Sequence, residues 1–191
     1  QMVHPFPIFI FFTLTTLATV GYGDITPLTL QARYAAVAEA IIGQLYLTIL
    51  VREFGHYWFH RLSHENALVW RLHATHHSAP RLYWLNATRF HVFDLFLLIT
   101  CEALPLALLG ARREILGPYF VFRAVYGQVQ HCNVDMRTPR WLDWLWSSPG
   151  VHRWHHSTLS REGNHNYGAV LNVWDHVFGS YLRPDPPFPG P

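Results

Sequence analysis

ILVREFGHYW, residues 49–58, is where two kinds of sequence meet. On its N-terminal side runs ARYAAVAEAIIGQLYLTILV, residues 32–51. That run is long enough to cross a bilayer, which takes about 20 residues of helix. On its C-terminal side, residues 53–91 turn polar, aromatic and rich in histidine. An apolar helix that hands over directly to histidine-bearing helices predicts an all-α chain. Some helices lie in the membrane, and a histidine-rich helical cap sits at its surface. Arg33, Glu39 and Gln44 interrupt the apolar run, so one face meets protein or water rather than lipid. Gly43 reads as a hinge.

Working outward, FPIFIFFTLTTLA at residues 6–18 is apolar but too short to span, and it fits a re-entrant or pore helix. Downstream, VFDLFLLITCEALPLALLG (92–110) is a second apolar stretch, with Glu102 and Pro105 inside it. ILGPYFVFRAVYGQVQ (115–130) is a third. Residues 137–157 are amphipathic and carry Trp141, Trp144, Trp146 and Trp154, suited to a membrane interface. The tail is rich in proline.

Composition agrees with a membrane protein. Charged residues make up 14% of the chain against about 25% in soluble domains, while half the residues are hydrophobic. A net charge of +2 is too small to argue for nucleic acid. All the basic residues are arginine, for which no physical reason is evident. Cys101 and Cys132 are too few for a disulfide framework, and Cys132 beside His131 reads mainly as a buried thiol. Residues 1–12 lack the basic start of a secretory signal.

Histidine is the outlier, with 14 residues, and they are grouped. HYWFH places His56 and His60 at i, i+4, on one helical face. HATHH places His73, His76 and His77 at i, i+3, i+4, and HRWHH repeats that pattern with His152, His155 and His156. One HxxxH is weak evidence, but two HxxHH triplets beside it are strong. Neutral imidazole ligates iron, zinc, copper or nickel, and this many rings exceed what one metal holds, so two metals are expected. Zinc-protease chemistry fails, because it needs HExxH and His64-Glu65 is followed by Asn-Ala-Leu.

HYWFHRLSH, WRLHATHHS, HRWHHS and NYGAVLNVWDHVFGSYLRP resemble the fatty acid hydroxylase/sterol desaturase superfamily over about residues 53–184. The resemblance implies integral membrane helices, with cytosolic histidines holding two irons above the bilayer. It implies dioxygen as co-substrate, an external electron donor from a separate redox partner, and hydroxylation or desaturation of a C–H bond in a membrane lipid. The metal ligands it implies are His56, His60, His73, His76, His77, His152, His155 and His156, with His131 of QHCN at a further ligand position. His64, His91 and His165 stand as extra ligands or supporting residues. Asn166 and Asp175 are placed to hydrogen-bond ligand imidazoles and fix their tautomers. His4 and His176 carry no expected role.

A second resemblance precedes the first. TLTTLATVGYGDITP, followed by a helix with a mid-span glycine, resembles the pore module of two-helix bacterial potassium channels. It implies an ion filter at Thr19, Val20, Gly21, Tyr22 and Gly23, whose stacked carbonyls would bind K+. That family places an outer helix before the pore helix, and only a handful of residues precede it in this sequence. The domain reading is therefore a pore helix, filter and inner helix over 1–51, a di-iron domain over 52–184, and a proline-rich tail over 185–191.

The topology of the join is coherent. A channel's inner helix ends in the cytosol, where the first histidine box is wanted, and Arg52, Arg61, Arg71 and Arg81 cluster beyond that helix end. Three readings stay open: a lipid oxygenase with a channel-derived anchor, a tetrameric potassium channel carrying oxygenase domains, and a non-functional chimera of the two. A homo-oligomer enters only with the pore, as a tetramer.

Overall fold

The structure is a computed structural model and describes residues 5–17, 20, 21, 23, 25–109, 111 and 113–185. Among them the chain is helical: α1 Pro5–Leu17, α2 Leu30–Glu65, α3 Ala67–His77, α4 Val92–Leu108, α5 Arg113–Gln130, α6 Arg140–Leu145, α7 Pro149–His155, α8 Ser160–Gly163 and α9 Val173–Val177. A 3-10 turn covers Trp84–Thr88. No strand forms among the described residues, where Trp146 and Leu171 make an isolated antiparallel bridge. The chain divides into two compact units, residues 1–49 and 50–191.

In the first unit, α1 has 13 residues, the short apolar helix that its sequence predicts. At about 1.5 Å per residue it reaches roughly 20 Å, well short of a bilayer's apolar thickness. α2 runs unbroken through Gly43. A side chain at Gly43 would put a Cβ 2.0 Å from the carbonyl oxygen of Leu17, so glycine serves close approach of two backbones. Glu39, which interrupts the apolar run, accepts a hydrogen bond from Thr13 Oγ1 at 3.4 Å. In the filter stretch Gly21 and Gly23 sit at φ +51° and +81°, backbone that favours glycine. The Val20 and Gly21 amides both donate to the Thr15 carbonyl. Thr19 and Tyr22 lie outside the described residues, as do His4 and the tail beyond Asp185.

No helix end falls at the join near residue 52. α2 has 36 residues and carries straight through the join, because nothing between Val51 and Glu65 breaks a helix. Among the described residues it is the one helix long and apolar enough to cross a membrane.

In the second unit the chain reverses at one residue. Asn66 leaves the helical region (φ −111°, ψ 120°), and its side chain accepts from the Leu68 and Val69 amides. This N-cap starts α3 immediately, and Trp70, His73 and His77 of α3 lie against His60 and His64 of α2. α4 crosses α2 where Gly55 meets Cys101, and a Cβ at Gly55 would lie 1.9 Å from the Cys101 carbonyl oxygen. α5 packs on the 3-10 turn and on α7. Tyr57, Val151, Tyr167 and Val170 form a core at or below 1% exposure. Around it lie many buried polar groups, which mark a site rather than simple packing.

Candidate metal centre

Nine histidines converge in two groups. His60, His64, His73, His77 and His155 form one, and His76, His131, His152 and His156 form the other. Within each group the nearest nitrogens all lie within 4.8 Å of one another. The geometry explains the HxxHH pattern. In α3, His73 and His77 (i, i+4) serve the first group while His76 turns to the second. In and after α7 the roles reverse: His152 and His156 serve the second group and His155 the first. Each triplet thus contributes to both groups. The groups abut where His77 stacks on His156, with ring centroids 4.2 Å apart.

The tautomers follow from the partners. A carbonyl can only accept, so His60 Nδ1–H donates to Tyr167 O at 2.8 Å, His155 Nδ1–H to His165 O at 2.8 Å, and His131 Nδ1–H to Gly127 O at 2.7 Å. Each leaves a bare Nε2 lone pair aimed inward. In the first group all five Nε2 atoms are buried without a partner. In the second group Nε2 atoms face one another, His131 to His152 at 3.2 Å and His152 to His156 at 3.1 Å. Leaving a buried acceptor unmet costs about 1–3 kcal/mol each, and a shared cation relieves all of them together.

Burial, the largest effect, holds His76, His77, His152, His155 and His156 well below the ordinary histidine range. It brings His131 down to about 4. These rings are therefore neutral near pH 7, the form that binds metal. An all-imidazole set without carboxylate or thiolate suits borderline divalent metals such as iron or zinc.

Two carboxylates to which the sequence reading gave no role, Asp94 unmentioned and Glu102 noted only inside an apolar stretch, support the histidines. Asp94 and Glu102 share the buried face of α4 with Leu98 and Leu106. Asp94 Oδ2 accepts from His73 Nδ1–H at 3.0 Å. Glu102 Oε1 accepts from His56 Nδ1–H at 2.7 Å and from Arg52. Their signal was legible as an acid inside an apolar helix at i, i+8, the spacing of one helical face.

The remaining candidates lie around the groups. His56 is in neither, although its ring lies 5.1 Å from that of His60. His64 is in the first group, with Nδ1 3.2 Å from Asn164 Oδ1. His91 caps α4 by accepting from the Phe93 amide. The imidazole of His165 is in neither group, but its carbonyl orients His155. Asn166 and Asp175 act through the backbone. Asn166 sits at φ +58° and binds Val151 O, Leu182 O and Leu182 N. Asp175 accepts from the Tyr167 and Gly168 amides and from Ser180. Together they clamp the segment whose carbonyls at 165 and 167 orient His155 and His60. Cys132 donates to Gln128 O and stands outside both groups. An open cavity of about 540 Å³ reaches His64, His77 and His156 from the side of Trp70 and Ser157.

An all-helical chain whose helices bring nine imidazoles to two adjoining points has the make-up of a histidine-box protein. The fatty acid hydroxylase family model matches residues 45–180, and the chain belongs to that family. A second family model, for ion channels, matches residues 3–60. An ornithine lipid hydroxylase of Rhizobium tropici is 44% identical over 144 residues, 75% of this chain and 43% of that protein. A human alkylglycerol monooxygenase is 31% identical over 136 residues, 71% of this chain and 30% of that protein. A very-long-chain aldehyde decarbonylase of Oryza sativa is 27% identical over 150 residues, 70% of this chain and 23% of that protein. The chain thus spans less than half the length of these curated relatives. No solved structure matches it.

Proposed function

We propose that this chain carries the oxidising centre of a membrane-bound lipid oxygenase. The observation behind the proposal is the convergence of nine imidazoles, with inward Nε2 atoms, into two adjoining groups. Each group would hold one iron, the first through His60, His64, His73, His77 and His155, the second through His76, His131, His152 and His156. When bound, the irons supply the activation of dioxygen and the oxidation of an unactivated C–H bond.

The chain's own residues do the positioning. The carbonyls of Gly127, His165 and Tyr167 fix three ring tautomers, and Asp94 fixes a fourth. His56, hydrogen-bonded to Glu102, supports the centre from beside His60. The packing of α2, α4 and α5 keeps bulk water from the buried rings.

The named activities of the ornithine lipid hydroxylase and the alkylglycerol monooxygenase support a lipid substrate oxygenated at a C–H bond; desaturation is the alternative outcome of the same oxidation. Electrons come from a separate redox partner. We place the apolar part of α2 across the membrane, with the histidines on the cytosolic side. On this reading residues 1–51 anchor a catalytic domain of residues 52–184.

A second reading is favoured by one observation. Gly21 and Gly23 hold positive φ in a segment that matches an ion-channel family model, so a K+ filter formed by a tetramer stays in play beside the oxygenase.

The deciding experiment measures metal in detergent-purified protein from iron-replete cells and then offers it lipid, dioxygen and a reductant. About two irons per chain and an oxygenated lipid are expected. A folded protein without bound metal would remove the oxygenase reading.

A further inference from the structure

A second open cavity, of about 370 Å³, shares His77, His156 and Ser157 with the one that reaches the histidines from Trp70. Its size is within the range of about 300–1,000 Å³ common for small-molecule sites. The rest of its wall carries two arginines, Arg81 and Arg153, together with Asn133. No acidic residue lines it among the described residues, and neither arginine forms an ion pair there. The carboxylates near it in the chain are engaged elsewhere. Asp135 pairs with Arg137 at 3.2 Å. Glu162 accepts from Ser157 Oγ at 2.6 Å and lies 3.7 Å from Arg161.

The two arginines are anchored in different ways. Arg153 is 6% exposed, and its Nη2 donates to the Val134 and Cys132 carbonyls at 2.6 and 3.2 Å. These neutral partners fix the guanidinium without cancelling its charge. Arg81 is exposed, but its carbonyl accepts from Asn86 Nδ2 at 2.8 Å, which ties its loop to the 3-10 turn. A cation taken out of water without a counter-ion is costly, so this wall favours an anionic group. The guanidinium fork matches phosphate and carboxylate. The chain beside the wall is apolar and exposed. Tyr83, Trp84 and Leu85 follow Leu82 of the wall, and Val134 follows Asn133. Aromatic side chains beside arginine are the pattern of a membrane–water interface. That pattern makes a lipid, rather than a free ion, the source of the anionic group.

We propose that this cavity binds the headgroup of the lipid substrate, and that the headgroup carries a phosphate or carboxylate held by Arg81 and Arg153. The inference rests on the lipid-oxygenase reading above and adds the class of headgroup to it. Arg153 is the fixed half of the clamp and Arg81 the exposed half. His77 and His156, one from each histidine group, belong to the same wall, so a headgroup held there stays beside the centre.

The test is a binding titration of the iron-loaded chain in non-ionic detergent micelles, read by tryptophan fluorescence. The probes are dioctanoyl phosphatidic acid and N-lauroylglycine, each set against its uncharged counterpart, dioctanoylglycerol and N-lauroylglycinamide. At least one anionic probe should bind about tenfold or more tightly than its counterpart, and inorganic phosphate or acetate at equal concentration should not displace it. Arg81→Met should raise the Kd of that probe by about tenfold or more, as loss of a charge-assisted hydrogen bond implies, and leave iron content unchanged. Arg81→Lys, which keeps the charge, should lose less. Arg153→Met should act like Arg81→Met. If it does not fold, because the Cys132 and Val134 carbonyls lose their donor, Arg81→Met at its exposed position decides. A preference below about twofold for both anionic probes overturns the proposal, as does an Arg81→Met Kd within about twofold of wild type. Displacement by phosphate or acetate at equal concentration marks a free-anion site and also overturns it. Iron counted in the same samples keeps the two readings apart. About two irons per chain with no headgroup preference overturns this inference alone, whereas a folded protein without iron overturns the oxygenase reading beneath it.

Discussion

His76 Nε2 and His131 Nε2 face each other at 3.3 Å across 55 residues of sequence. His131 spends its one N–H on the Gly127 carbonyl, so it offers His76 a lone pair. His76 Nε2 can meet it with its N–H or, with that proton on Nδ1, with a second lone pair, and in the latter form a cation between the two atoms would satisfy both. His131→Ala should therefore empty the second group while sparing the first, and His60→Ala should do the reverse. Metal analysis is expected to give about one iron per chain in each variant against about two in the parent. Full occupancy in both would sink the assignment.

His64 stands in the first group and His56 beside both, a placement that differs from the ligand set the resemblance implies. His64 points its unpartnered Nε2 into the first group, whereas His56 is tied to Glu102 outside both. His64→Ala should lower iron retention under chelator challenge. His56→Ala should keep the metal and lose oxidation. Equal metal loss in the two variants would restore His56 as a ligand.

Asp94 is fully buried and accepts from His73. Asp94→Asn keeps the shape but weakens the acceptor, and outer partners of this kind are worth about 10–100-fold in metal affinity. A competition titration against a chromogenic chelator reads that loss. An unchanged affinity would leave Asp94 a packing residue only.

Acid should unfold the metal-free protein early. The folded state holds His131 down to about 4 and His76, His77, His152, His155 and His156 well below 6.5, while the unfolded chain protonates at about 6.5. Below pH 6.5 the unfolded state therefore binds more protons, and stability falls as pH falls towards 4. Each such histidine contributes up to about 1.4 kcal/mol per pH unit in that window. Urea midpoints at pH 7 and pH 5 check it, and equal midpoints would contradict the neutral, buried cluster.

Gly43 tests the two units separately. Gly43→Val would drive a side chain into the Leu17 backbone and should destabilise the first unit by about 1–3 kcal/mol or more. Iron content, which depends on residues of the second unit, should not change. Protease susceptibility of α1 and metal analysis on one sample separate the two effects.

The sequence by itself determined the helices, the short reach of α1 and the concentration of metal-binding chemistry in the histidine boxes. These are local properties: apolar run length, i, i+4 spacing and side-chain type act within a few turns of chain. The number of rings already called for two metals, but which histidine joins which group was not legible, because it depends on how α3 and α7 face each other. No local pattern states that His76 and His155 turn away from their own neighbours. The tertiary structure alone drew His64 in and left His56 beside the groups, since the one-residue turn at Asn66 sets which turn of α2 lies opposite α3. It also gave Asn166 and Asp175 their indirect role, and Asp94 and Glu102 a direct one. A hydrogen bond between residues 21 or 46 positions apart exists only once the intervening chain has folded back. Spacing fixes what a helix can present, and packing fixes what meets it.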